Sequence, residues 1–216
     1  MTYNILDGGE GRENYLLEVL QTVKPDVAIL LSRLPVISCQ SHHRFPPIWH
    51  NVIEAEIEYQ PDKRLWLFGI HAVANLSVIW ELWRWWEAKH IIGRVKPYTA
   101  EPCLVAGDFN ATAPDDRVAI SQMPQWLRLI ILTQGNRVYR FSIRKYLAVG
   151  LTDCFRAVHP DDGGFTLPPP QPNSRLDYIL VNDVLKSHLI DCRVVREPSA
   201  ILKASDHYPV VAEFQM

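Results

Sequence analysis

Cys103-Leu104-Val105-Ala106-Gly107-Asp108-Phe109-Asn110 reads as a short apolar strand that runs directly into a polar turn. The same juxtaposition recurs along the chain. Asn4 lies within an expected strand Thr2 to Leu6, and His71 ends the strand Leu65-Trp66-Leu67-Phe68-Gly69-Ile70-His71. Asp177 begins the strand Asp177 to Val181, and Asp206-His207 precede the last strand, Pro209 to Phe214. Loops at one end of a sheet are where reactive groups gather on rigid supports. Carboxylates, two amides and two imidazoles converging there suit a hard cation such as Mg2+, with Mn2+ as the other candidate, together with a phosphate ligand. Singly, each piece has a plainer reading. Gly-Asp-Phe-Asn is an ordinary turn, a lone strand-end histidine is commonly structural, and Ser205-Asp206-His207 is a possible cap. Their joint occurrence in one order carries the argument.

Around these residues the pattern alternates strands and helices. Leu16, Leu17, Leu20 and Val23 recur at helical spacing, which predicts a helix over residues 14–23, with Asn14 as its cap and Lys24-Pro25 as its stop. The continuous apolar run Val27 to Leu31 reads as a strand buried on both faces. In residues 52–59, Ile53, Ala55, Ile57 and Tyr59 alternate with Glu54, Glu56 and Glu58, which predicts a half-buried strand with one wet face. A turn at Gln60-Pro61-Asp62-Lys63 makes it a hairpin with the strand ending at His71. A helix over 76–92 carries Trp80, Trp83, Trp85 and Trp86 and is expected to lie on the sheet with one or two rings at its rim. A helix near 116–130, a basic and aromatic segment from Arg137 to Lys145, and strands at Thr152 to Arg156 and Asp191 to Val195 complete the outline. The proline-rich 168–172 reads as a stiff loop rather than a boundary, so a single domain over 1–216 is expected.

Composition narrows the class. Lys and Arg number 22 against 24 Asp and Glu, and 48% of residues are hydrophobic, which fits a globular core and excludes disorder and a generally basic nucleic-acid coat. No run approaches the length of a membrane span, and the opening residues lack the pattern of a signal peptide, so a cytoplasmic protein is expected. Cys39, Cys103, Cys154 and Cys192 show no paired spacing and are expected to be reduced and buried.

In order, Gly107-Asp108-Phe109-Asn110, Arg175-Leu176-Asp177-Tyr178-Ile179 and Ser205-Asp206-His207 resemble the motifs of the endonuclease/exonuclease/phosphatase superfamily. That resemblance implies an α+β fold, a four-layer α/β/β/α sandwich of two mixed, mainly antiparallel sheets. It also implies metal-dependent phosphoester hydrolysis. By the same resemblance His207 is the group that activates or positions the attacking water, Asp177 orients its imidazole, and Asp108 orients the nucleophile or meets the metal. Asn110 and His71 are donors to non-bridging phosphate oxygens, while Asn4 and Asp206 stand on the metal side with Asp108.

The chain departs from that family at one strand. Pro25-Asp26-Val27-Ala28-Ile29-Leu30 begins the family's glutamate-bearing run, but Leu31-Ser32-Arg33-Leu34-Pro35-Val36 resembles a later strand. A segment near 30–31 is thus missing, two strands are expected to have fused, and Ser32 stands at the glutamate's register, where a hydroxyl is no substitute for a carboxylate. Asp7 and Glu10 are the candidate replacements, and Gly69 stands where many relatives have asparagine. Arg128, Arg137, Arg140, Arg144 and Lys145 read as a solvated face, with a local basic groove as the other reading. The expected partner is a phosphoester, either a small molecule or nucleic acid, with a small substrate preferred. The tryptophan helix leaves a lipid headgroup open, and the oligomeric state is not set. A catalytically impaired member of the fold that keeps only a binding role is the alternative.

Overall fold

The structure, a computed structural model, describes residues 1–5, 9–28, 31–43 and 46–216. The first half runs α1 (Glu13–Val23), β1 (Val27–Ala28), β2 (Leu31–Ser32), β3 (Val36–His42), β4 (Val52–Gln60), β5 (Lys63–His71), α2 (Val78–Val95) and β6 (Cys103–Asp108). The second half runs α3 (Gln125–Thr133), α4 (Phe141–Ala148), β7 (Thr152–Asp153), α5 (Cys154–Val158), β8 (Asp177–Val181), α6 (Asp183–Lys186), β9 (Leu189–Val194), α7 (Ile201–Ala204) and β10 (Val210–Phe214).

Among the described residues a six-stranded sheet has the order β3-β4-β5-β6-β8-β7, and β9 with β10 makes a smaller antiparallel sheet. Within the large sheet β5 and β6 are parallel, and the other pairs are antiparallel. Alternation along each strand divides the side chains between two cores. On one face Phe68, Ile70, Val105 and Leu180 meet Ala88, Ile91 and Ile92 of α2 and Ile143 of α4. On the other face Ala55, Ile57, Leu67, Leu104 and Ile179 meet Cys192 and Val210 of the small sheet. Outside the small sheet, Val19 of α1 meets Ala200, Ile201 and Ala204 around α7. Helix, sheet, sheet, helix is the expected four-layer order.

Several elements differ from the sequence reading. Val27 to Leu31 is not one strand, because Val27 pairs with Ser32 and Ala28 with Leu31 in an antiparallel hairpin. An unbroken apolar run does not distinguish a buried strand from the two arms of a turn. Residues 29–30, between these arms, and part of the expected missing segment near 30–31 lie outside the described residues. The expected strand Thr2 to Leu6 is, over the described residues 1–5, a single bridge from Thr2 to Val210. Arg12 rather than Asn14 precedes α1, and the expected strand at Thr152 to Arg156 turns into α5 after two residues. The helix expected near 116–130 is confined to α3 with a short 3-10 turn at Ile120–Gln122 before it.

The wet face of β4 is also only partly wet. Glu54 is 7% exposed, and its carboxylate accepts from Arg94 Nε at 2.7 Å and Tyr98 hydroxyl at 3.1 Å and pairs with His42 Nε2 at 2.9 Å. The C-terminal end of α2 folds over that face and supplies the counter-charge that makes the burial tolerable. Cys39 is exposed, whereas Cys103, Cys154 and Cys192 are buried free thiols, as expected for those three.

Candidate active site

Strand register assembles the centre. His71 is the parallel partner of Asp108, and Asp108 is the antiparallel partner of Asp177, so three adjacent strands end at one place. The close approach of β5 and β6 requires a glycine just before Asp108. Gly107 has φ +151°, and a Cβ there would stand 1.9 Å from the Ile70 carbonyl oxygen. Beyond Asp108 the chain reverses through Asn110, at φ 47°, whose backbone N–H donates to Asp108 Oδ1 at 2.8 Å. This is an Asx turn, and it aims the aspartate. The Asn110 side-chain amide donates to the Ala72 carbonyl at 2.8 Å and to Asp108 Oδ2 at 3.2 Å, which ties the β5 exit loop to the β6 exit loop.

His207 enters from the other sheet. Ser205 Oγ donates to the Asn4 carbonyl at 2.5 Å and accepts from the His207 backbone N–H at 3.1 Å, locking the histidine loop to the N-terminal segment. His207 Nδ1 lies 2.7 Å from Asp177 Oδ2, and its Nε2 lies 3.7 Å from Asp108 Oδ2. The Asp177 contact makes Nδ1 the protonated nitrogen and leaves Nε2 facing Asp108. Asn4 Nδ2 donates to Asp108 Oδ2 at 2.9 Å and lies 3.4 Å from His207 Nε2. Asp108, Asp177 and His207 are 4%, 1% and 4% exposed.

Burial and the neighbouring Asp177 charge push the Asp108 carboxyl up to about 7, against the opposing pull of His207. Burial draws the His207 imidazole down, but the Asp177 charge and hydrogen bond, with Asp108 and Asp206 behind them, outweigh it and raise it to about 9. His71 is lowered by burial and by the nearby His50 and His207.

The structure gathers Asn4, His71, Asp108, Asn110, Asp177 and His207. His71 sits at the mouth, with half its side chain exposed and Nε2 3.8 Å from Asp108 Oδ2. Asp206 is exposed at the rim, with a Ser205 hydroxyl contact at 3.5 Å. Asp108, Asp177 and His207 each offer one ligand atom within 4.8 Å of the others, and Asp206 is not in that group. Asp177 Oδ1 is buried without a hydrogen-bond partner among the described residues. Two carboxylates, one with an unsatisfied oxygen, beside an amide form an oxygen-rich donor set that fits a hard divalent cation. Ser32, by contrast, spends its hydroxyl on its own turn, donating to the Leu34 carbonyl at 2.8 Å and accepting from the Leu34 N–H at 3.1 Å. Glu10 is exposed, and Asp7 lies outside the described residues.

Three supporting residues, Arg175, Tyr178 and His50, were given no role in the sequence reading. Arg175, 1% exposed, bridges Asp116 and Asp153, with Nη2 2.7 Å from Asp116 Oδ1 and 2.6 Å from Asp153 Oδ2. Tyr178 hydroxyl accepts from the Ala113 N–H at 2.8 Å and donates to Asp116 Oδ2 at 2.8 Å. The arginine and tyrosine of Arg-Leu-Asp-Tyr-Ile therefore clamp the loop after Asn110 onto β8. His50 stacks on His71 with ring centroids 4.6 Å apart, and its Nδ1 donates to the His71 carbonyl at 3.0 Å. Nothing in the sequence marked it, since its loop is held by distant groups, Glu87 accepting from the Trp49 N–H and Trp83 Nε1 donating to the Pro47 carbonyl.

Residues 28–207 match the family model described as Endonuclease/Exonuclease/phosphatase family. No curated protein matches the chain. Among solved structures, an AP endonuclease from Archaeoglobus fulgidus aligns over 100% of this chain and 98% of its own, with 16% identity and a TM-score of 0.73. The 3' phosphatase NExo from Neisseria, bound to a product DNA hairpin, aligns over 86% of this chain and 73% of its own, with 21% identity and a TM-score of 0.63. A humanized TDP2 of D. rerio aligns over 100% and 97%, with 13% identity and a TM-score of 0.67. These identities establish likeness of fold.

Proposed function

The chain belongs to the Endonuclease/Exonuclease/phosphatase family, and from that premise we propose that it is a divalent-metal-dependent phosphoester hydrolase. The observation that carries this reading is the line Asp177–His207–Asp108, a buried imidazole oriented at Nδ1 and facing a second carboxylate with Nε2. Asp108 and Asn4 would hold the cation, Mg2+ or Mn2+, with Asp206 at its outer edge. Bound there, it would supply Lewis-acid polarisation of a phosphoryl oxygen and offset the Asp108 charge. In the ring protonated at Nδ1 alone, His207 Nε2 would take the proton from the attacking water while Asp177 keeps Nδ1 protonated and the ring in place. His71, at the mouth, would donate to the charge that develops on the non-bridging oxygens, whereas the Asn110 amide, expected to be a second donor, is committed to Ala72 and Asp108 and holds that carboxylate in place. The substrate class is a phosphodiester or phosphomonoester. The DNA hairpin on the Neisseria phosphatase and the activity named for the Archaeoglobus enzyme support a nucleic-acid substrate beside a small one.

The test is hydrolysis of a chromogenic phosphodiester by the purified chain with Mg2+ or Mn2+ against chelator, beside Asp108→Ala and His207→Ala. Metal-dependent turnover lost in both variants is expected, and turnover unchanged in both removes the proposal. The local engagement of Ser32 favours a second reading, a member disarmed by loss of the family glutamate that keeps only binding. In that case Mg2+ leaves the melting temperature unchanged, because a cation stabilises the native state only as far as it binds it.

A further inference from the structure

The N-terminal half of helix α2 has inverted polarity, before Ala88, Ile91, Ile92 and Val95 return an apolar face to the core. Glu81, Arg84 and Glu87 are only 1%, 3% and 2% exposed, while Ile79, Leu82, Trp85 and Trp86 are 72%, 51%, 40% and 38% exposed. The buried charges are satisfied in large part inside the protein. Glu81 accepts from the Ser142 N–H at 2.8 Å and pairs with Arg84 at 3.0 Å, and Arg84 donates to the Val73 and Asn75 carbonyls at 2.8 Å. The outward residues recur at i, i+3, i+6 and i+7 and form one stripe, with exposed Lys89 ten residues after Ile79 on the same face.

The stripe continues onto its neighbours. Leu82 and Trp85 line a shallow depression with Phe141, Arg144 and Lys145 of α4, where the Lys145 ammonium lies 4.0 Å from the Trp85 ring centroid. Gln134, at the end of α3, accepts from the Val78 N–H at 2.5 Å and donates to the Leu76 carbonyl at 3.3 Å, fastening α3 to the first turn of α2. Trp126, Leu129 and Leu132 of α3 are 63%, 61% and 65% exposed at three-residue spacing. Residues 117–152 hold six Lys or Arg and no Asp or Glu, and the two acids of residues 76–100 are the buried Glu81 and Glu87. In a chain of net charge −2 these two segments are aliphatic, indole-bearing and cationic and hold no exposed carboxylate, the exposed Glu101 and Asp115 lying just beyond their bounds.

We propose that the outer face of α2, α3 and α4 seats the protein on an anionic lipid bilayer surface. Aliphatic side chains enter the headgroup boundary, indoles settle at it, and surrounding cations meet anionic lipids. No helix among the described residues is long and apolar enough to cross a membrane, so the contact is peripheral. A second copy fits this face poorly, because a two-fold contact would set its cations against themselves. Nucleic acid matches the charge and the exposed indoles, but it leaves the aliphatic Ile79, Leu82, Leu129 and Leu132 without a partner.

The proposal is independent of catalysis, and a catalytically silent protein gives the same answer. The purified chain is sedimented with phosphatidylcholine vesicles and with vesicles containing phosphatidylserine. It is expected to follow the anionic vesicles, less so as salt is raised, and to stay in solution with phosphatidylcholine. Leu82→Glu with Trp85→Glu is expected to lower the bound fraction about tenfold, and Arg144→Gln with Lys145→Gln several-fold, roughly the worth of one to two kcal/mol per conversion of these fold-changes. All four residues are outward-facing, and an unchanged melting curve establishes that the variants are folded. Failure to follow anionic vesicles overturns the proposal, as does undiminished binding by both folded variants. A gel shift of an oligonucleotide, or a dimer in solution, that these substitutions abolish while vesicle binding is absent reassigns the face to nucleic acid or to self-association and also overturns it.

Discussion

Asp108 and Asp177 are register partners across β6 and β8, so two carboxylates are driven into one buried place by backbone pairing alone. Burial, and after it their repulsion, lifts the Asp108 carboxyl to about 7, and His207 lies against both. The sheet thereby stores an electrostatic demand for positive charge at this point.

Asp177→Asn removes the charge that outweighs burial at His207. In the metal-free protein the imidazole, raised to about 9, is expected to fall below that value, as followed by NMR titration of its ring protons. Phosphodiester hydrolysis is expected to fall by about 10^2 to 10^4, because asparagine also favours the wrong tautomer. An unmoved titration would show that Asp177 does not control this ring.

Glu87 gives stability a pH dependence of definite sign. Burial raises its carboxyl to about 7 from 4.5; the Trp49 N–H and Arg84 oppose the shift, and Oε2 is buried without a hydrogen-bond partner among the described residues. The native state therefore binds this proton more tightly than the unfolded chain, and the resulting stabilisation is present below pH 4.5 and lost as pH rises through 7. Glu87→Gln keeps an acceptor for Trp49 and needs no proton. Its stability relative to the parent is expected to rise across that window, by on the order of 3 kcal/mol in total, in urea melts at successive pH values. A constant difference from pH 4 to 8 would refute the assignment.

Arg175→Met leaves Asp116 without its main partner and Asp153 without the two bonds that the guanidinium makes. Breaking a buried pair in this way costs about 3–5 kcal/mol, to be read as a fall in the denaturant midpoint. A cost below about 1 kcal/mol would mean that the clamp on the loop after Asn110 is dispensable.

Gly107→Ala tests the close approach of β5 and β6. Its Cβ would meet backbone, the Ile70 carbonyl oxygen, at 1.9 Å and φ +151°, and backbone yields less readily than a side-chain tip. A loss of more than about 2 kcal/mol is expected, measured by thermal melting. A parent-like melt would show that the strands can separate locally at no cost.

The sequence alone was sufficient for the β4–β5 hairpin, because a period of two and a Pro-Asp turn are local properties. The strand-end pattern also singled out His71, Asp108, Asn110, Asp177 and His207, which the fold brings together with Asn4, while their roles remain the proposal made above. Long-range partners were decided only by the tertiary structure. Val27 turned back on Ser32 instead of running on, Glu54 was buried by an arginine forty residues away, and His50 reached His71 through a loop held by Glu87 and Trp83. The polarity of α2 is the sharpest case. A hydrophobic pattern reports which side chains prefer to leave water, but a buried charge is decided by whether its counter-charge and carbonyls are waiting inside, and those are supplied by residues that adjoin it only once the chain has folded.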